Sequence, residues 1–210
     1  MTRLTENLDA IADRIRALFT SQDAARERVL PLCREVIRYS STAIRALHRQ
    51  EMTEARNLLE QARRLLDEAE AAISNGGELI RTGFMIDAQK EYAEGRITLA
   101  LVQGNQPPSP EELGVDPASY LHGLAEAVGE LRRYMLDSMR KGDLSRGEEL
   151  LSAMDDIYNI LVTMDFPDAI THGLRRNTDM VRGVLERTRS DLTLTMQQKE
   201  LEDKLKEYEK

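Results

Sequence analysis

An all-α fold is predicted by three features of this sequence. Leu, Ala, Glu, Arg and Met, all good helix formers, dominate it; apolar residues recur at helical spacing along most of its length; and no apolar/polar alternation lasts long enough for a strand. With 210 residues, 41% of them hydrophobic, the chain can bury one sizeable core, and a single helical domain over residues 1–210 is expected.

The elements follow in order. From about Thr5 to Arg49 the apolar spacing is helical, interrupted only by Pro31, which would kink one long helix or divide it in two. Thr53 opens a second helix, TEARNLLEQARRLLDEAEAAI, with Leu58, Leu59, Ala62, Leu65, Leu66 and Ala69 as its buried stripe. Asn75 to Gly77 supply a left-handed stop, and a third helix runs from about Glu78 to Val102. The linker GNQPPSPEELGVDPASY holds two helix starts: Ser109-Pro110-Glu111 for a short helix and Asp116-Pro117 for one reaching about Arg140. Lys141 to Asp143 form a turn. Two further helices are expected, from about Leu144 to Val162 and from Asp168 into the charged, solvated and partly frayed end LEDKLKEYEK. The sum is an antiparallel bundle of about six or seven helices.

Composition excludes several function classes. The single Cys33 allows no internal disulfide, the N-terminal segment alternates charge with apolar residues instead of forming a signal-peptide core, and no apolar run reaches the roughly 18 to 20 residues that cross a bilayer. A cytoplasmic protein without membrane contact is the expectation. The net charge of −8, taken alone, argues against a nucleic-acid binder, although the distribution of charge can reverse that.

The carboxylates are the first unusual distribution. In the third helix Glu91 and Glu94 share a face, with Asp87 four residues before Glu91, and the positions four after the two glutamates are Gly95 and Thr98 instead of cations. In the helix after the linker, Glu126 and Glu130 are four apart, with His122 one turn before and Arg133 three after. Each like-charge pair costs a few tenths of a kcal/mol on an isolated helix, so two such faces packed together need a cation. Mg²⁺ or Mn²⁺ fits, because both prefer carboxylate and water oxygens; two ions about 4 Å apart can activate water and stabilise the leaving oxygen of a phosphodiester. Such spacings also arise by chance in Glu-rich helices.

A basic stripe is the second. Arg34, Arg38, Arg45 and Arg49 fall within about a quarter of the helix circumference, Ser41 and His48 share the sector, and Glu35 is the one acid from Leu32 to Arg49. The planar guanidinium fork suits phosphate. Pairing with glutamates of neighbouring helices or subunits is the alternative.

These residues carry a resemblance. LCREVIRYSSTAIRALHR, QKEYAEG, ASYLHGLAEAVGELRR and the KGD turn, in this order, resemble the translin superfamily, and its translin-associated factor X (Trax) branch more than translin itself, over about residues 20 to 190. The resemblance implies a seven-helix fold assembled into a hollow, roughly octameric homo-oligomeric shell that binds single-stranded or short duplex RNA and DNA on an inner basic surface. In the Trax branch it also implies a Mg²⁺-dependent endoribonuclease. Glu91 and Glu94 match the glutamates of the Trax QEYVE pattern, here KEYAE, and Glu130 matches that of GEL. Glu126 stands in place of an aspartate, which keeps the charge and lengthens the arm by one methylene. In translin the positions of Glu91 and Glu126 tend to be apolar, so retaining all four acids implies a nuclease: Glu91, Glu94, Glu126 and Glu130 as metal-binding catalytic residues, Arg34, Arg38, Arg45 and Arg49 as the RNA-binding set. A non-catalytic RNA- or DNA-binding scaffold and a purely structural oligomer are the alternatives.

The remaining candidates read as structural. Asp87 lies outside the family pattern and reads as surface charge or as a support behind the acids, His122 as a satisfied structural histidine or a contact to metal or substrate, and His48 and His172 lack ligand-spaced partners. Cys33 has no catalytic partner and the Met residues fill core. Asp155-Asp156 and Asp165 to Asp168 read as surface and capping residues, and Leu201, Leu205 and Tyr208 as an apolar stripe for the bundle or a neighbouring subunit.

Overall fold

The structure, a computed structural model, describes Thr5, residues 7–74 and residues 83–208. Among these residues it is all-helical: α1 (Leu8–His48), α2 (Met52–Ser74), α3 (Gly83–Val102), α4 (Pro110–Leu113), α5 (Pro117–Arg140), α6 (Gly147–Val162), α7 (Asp168–Thr171) and α8 (Leu174–Tyr208). Six are long and two are single turns, in an antiparallel bundle. The predicted stop at Asn75 to Gly77 and start at Glu78 lie outside the described residues. No described helix is long and apolar enough to cross a membrane.

Pro31 neither divides α1 nor ends it. An interior proline removes one backbone hydrogen bond and crowds the preceding turn, at a cost of about 3 kcal/mol. The fully buried Val29, Cys33 and Val36 on either side of it anchor the helix through that point. Burying each of these side chains is worth about 1.5–3 kcal/mol, so packing offsets the defect. The C-terminal helix departs from its predicted start in the other direction. It is interrupted after one turn, where His172 (φ 52) and Gly173 (φ 82) adopt left-handed backbone and a new helix begins at Leu174. From there α8 stays helical to Tyr208, with its last turns solvent-exposed.

The two caps read in the linker are in place. Ser109 Oγ accepts from the Glu112 backbone N–H while the Glu112 carboxylate accepts from that of Ser109, with Pro110 in the first turn. Asp116 caps α5 through the Ala118 N–H at 2.9 Å. The predicted stripe of α2 is buried at Leu58, Leu59, Ala62, Leu66 and Ala69, with Leu65 partly covered. Asp165 and Asp168 do not cap α7, whose N-cap is Pro167, and Asp155 pairs with Arg189.

The helix that positions the acids is α3. It packs between α1, α2 and α5, and α5 continues the bundle toward α6 and α8. Its buried residues include Tyr92, Ala93, Glu94, Ile97 and Thr98, so its circumference is enclosed and the polar ones must be placed among neighbours. Small residues bring α5 close: a Cβ on Gly123 would lie 2.8 Å from Lys90 O, 2.9 Å from Glu94 N and 2.8 Å from Ala93 Cβ. That approach sets Glu126, less than one turn further along α5, opposite Glu91 and Glu94.

Candidate functional site

Carboxylate oxygens of Glu91, Glu94 and Glu126 lie within 4.8 Å of one another, two from α3 and one from α5. Glu94 is buried and the other two are half-buried. Burial, reinforced by the charges of Glu126, Glu91 and Glu130 and opposed by Lys90, pushes the Glu94 carboxyl up to about 8. Burial also raises Glu91, although Lys90 and a hydrogen bond from Ser41 of α1 pull it back.

Glu130 is close enough to act on Glu94 but stands outside the three-oxygen group. Its Oε2 accepts a 2.5 Å hydrogen bond from His48 Nε2, and Arg133 is 4.0 Å from the same oxygen. Asp87 is exposed and adds to the negative field around Lys90.

The cation that the like charges require has a partial answer inside the chain. Lys90 Nζ sits 3.1 Å from Glu126 and 3.6 Å from Glu91. Burial works to lower the Lys90 pKa, and the carboxylates of Glu126, Glu91 and Asp87 outweigh it, so the net direction is up. Positions four residues after the glutamates miss this partner, because its ammonium reaches across the helix interface. His48 was likewise invisible to ligand spacing, since its partner is 82 residues away. A hint was present: Ser41 and His48 share one sector of α1, which faces the acids, and His48 bonds one of them.

That sector fixes the stripe. Arg34, Arg38, Arg45 and Arg49 are all exposed, next to an edge that contacts Glu91 and Glu130. Arg38 pairs with Glu35 and lies 4.7 Å over the Tyr39 ring, and Arg49 pairs with Glu51. Arg45 donates to Thr42 Oγ1, and among the described residues neither it nor Arg34 has a carboxylate partner. These exposed pairs are worth at most about 1 kcal/mol and leave the guanidinium groups available.

The residues read as structural are so placed. His122 is buried with Nε2 donating to Thr171 O at 2.8 Å, which ties α5 to α7. His172 is an exposed left-handed cap. Cys33 is buried, and burial pushes its thiol up to about 11, far from a reactive thiolate.

Three carboxylate oxygens at mutual distances up to 4.8 Å, with no nitrogen or sulfur donor in the group, form a hard donor set that fits Mg²⁺ or Mn²⁺. Glu94 is raised first by burial and then by repulsion from Glu126, Glu91 and Glu130, and a divalent cation would relieve the repulsive part.

No protein-family model matches the sequence. An uncharacterized protein of Methanocaldococcus jannaschii is 29% identical over 188 residues, 89% of this chain and 83% of that one. Among solved structures, AfC3PO in complex with duplex RNA matches with a TM-score of 0.79 at 34% identity, covering 90% of this chain and 96% of that one. The AfC3PO crystal structure gives 0.79 at 33% identity, with 90% and 97% covered. Apo-NeC3PO shares the fold, with a TM-score of 0.76 at 19% identity over 92% of this chain and 99% of that one.

Proposed function

Because the chain belongs to the translin superfamily, that of the C3PO proteins, we propose that it binds short RNA and cleaves it by metal-dependent phosphodiester hydrolysis at Glu91, Glu94 and Glu126. The observation that carries this is the convergence of three carboxylates from two helices beside an exposed arginine stripe. Duplex RNA bound to a 34%-identical relative supports RNA as the polymer.

Glu91, Glu94 and Glu126 would hold Mg²⁺ or Mn²⁺, with Glu130 at the edge of the group. Bound there, the cation supplies Lewis-acid polarisation of the phosphate and acidifies water. The chain's own residues do the rest. Arg34, Arg38, Arg45 and Arg49 grip the backbone and hold it along α1, beside the acids. Burial first, and the neighbouring carboxylates second, push the Glu94 carboxyl up to about 8, and a bound cation would pull it back down. Enclosure between α1, α3 and α5 limits the water that competes for these groups.

We infer a homo-oligomeric shell, of eight protomers as the resemblance implies. Exposed apolar residues at the free ends of α1 (Leu8, Ile15, Leu18, Phe19) and α8 (Leu201, Leu205, Tyr208) support assembly. An arginine stripe facing the interior of such a shell accommodates RNA binding by a chain of net charge −8.

The Lys90 bridge favours a second reading, a non-catalytic RNA-binding scaffold whose acids are neutralised from within. Cleavage separates the two: labelled short RNA should be cut with Mn²⁺ or Mg²⁺ and stay intact in EDTA, whereas tight binding without metal-dependent products selects the scaffold. Binding itself should weaken with salt. Each phosphate contact contributes roughly −0.7 to −0.9 to the slope of log affinity against log salt, so Arg38→Ala/Arg45→Ala should flatten it by about 1.5. An unchanged slope would remove the stripe from the RNA interface.

A further inference from the structure

We propose, resting on the metal-site reading above, that His48 is a positioning residue: it holds Glu130 turned toward the acidic cluster and so sets the affinity of that cluster for a divalent cation. The two partners of Glu130 compete for one atom. His48 Nε2 donates to Oε2 from within the bundle at 2.5 Å, with its side chain only 5% exposed, while Arg133 approaches the same oxygen at 4.0 Å from a side chain 56% exposed. Removing His48 leaves Arg133 as the nearest partner and lets the carboxylate turn outward.

The ring has little else to do. His48 Nδ1 is buried without a hydrogen-bond partner among the described residues. Glu130 is therefore the group that fixes the ring's orientation, and burying a polar nitrogen unpaired is a cost that a purely space-filling side chain would avoid. His48 also stands two turns, about 10.5 Å, along α1 from Ser41, which lies near enough to Glu91 to draw its pKa down. One edge of α1 thus faces the acidic site at both points, with the hydrogen bond at His48. Groups that orient the side chains of a metal site commonly change its metal affinity by about 10- to 100-fold when removed.

The test is direct Mn²⁺ binding, by calorimetry or by loss of the free-ion electron paramagnetic resonance signal, on the purified chain and on His48→Ala, His48→Gln, Glu130→Gln and the His48→Ala/Glu130→Gln pair, each checked for folding by thermal melting. His48→Ala should bind Mn²⁺ about 10- to 100-fold more weakly, and His48→Gln, whose amide can donate to the same oxygen, should recover most of it. The double variant should bind no more weakly than Glu130→Gln, because His48 acts through Glu130. Wild-type affinity in folded His48→Ala, or additive losses in the pair, would overturn the proposal. If His48→Ala does not fold, His48→Gln against Glu130→Gln decides it: near wild-type affinity in the first with a loss in the second supports the proposal, and equal losses refute it. Absence of Mn²⁺ binding by the wild-type chain would instead refute the metal site itself.

Discussion

Glu94→Gln is expected to reduce metal-dependent RNA cleavage by on the order of a thousandfold and, in the same molecule, to stabilise the metal-free chain at pH 8. The first effect follows from removing one of three oxygen donors and its charge. The second follows from burial, since Glu94 is pushed up to about 8, above the roughly 4.3 of an unfolded glutamate. Between those two values the folded chain binds more protons than the unfolded one. Stability therefore falls as pH rises through that window, and the full cost is present above about 8. The limiting slope is about 1.4 kcal/mol per pH unit, so the cost amounts to several kcal/mol at most. Glutamine is never ionised and escapes it. Melting curves in EDTA between pH 5 and pH 8.5 check this: the wild-type midpoint should fall with pH and that of Glu94→Gln should change far less. Parallel pH profiles would show that Glu94 is not held in a protonation-sensitive site. Gain of stability with loss of activity distinguishes a functional acid from a structural one.

Gly123→Val should be the most disruptive single change near the site. A Cβ at that position meets backbone atoms of Lys90 and Glu94 under 3.0 Å, and backbone in the middle of α3 cannot swing aside as a flexible side chain can. Overpacking of this kind costs about 1–3 kcal/mol, and a β-branched residue adds bulk beyond the first carbon. Separating α3 from α5 also pulls Glu126 away from Glu91 and Glu94, so Mn²⁺ binding should fall together with the melting temperature. Gly129 is the internal control. It lies on the same helix, a Cβ there meets nothing within 4 Å, and Gly129→Ala should gain up to about 1 kcal/mol from helix propensity. If both glycine substitutions melt alike, close approach at Gly123 does not hold the two acidic helices together.

Much of the fold was legible because its signals are local. Ser109-Pro110 and Asp116-Pro117 mark helix starts through capping chemistry that needs no tertiary information, and the α2 stripe follows from helical spacing. Pro31 was less informative than its local cost suggests, because Val29, Cys33 and Val36 pack on neighbours that a single-helix argument does not see. The break at His172–Gly173 carried a glycine signal, but the helical spacing on both sides masked it. The site divides in the same way. Same-face logic paired Glu91 with Glu94 and Glu126 with Glu130, since both pairs lie within a turn of one helix. Which oxygens converge depends on how α3 and α5 approach, a matter settled by Gly123 and Ala93. The bridges from Lys90 to Glu126 and from His48 to Glu130 cross between helices, so spacing along one element could not reveal them.

The most direct test of the central claim is cleavage of a short labelled duplex RNA by the purified chain with Mn²⁺, beside EDTA and beside a Glu91→Ala/Glu94→Ala variant shown to keep its fold and its assembly state. The acidic cluster as the active centre predicts products with the wild type and metal alone, and intact RNA in the other two reactions. Equal cleavage by the folded variant would contradict it.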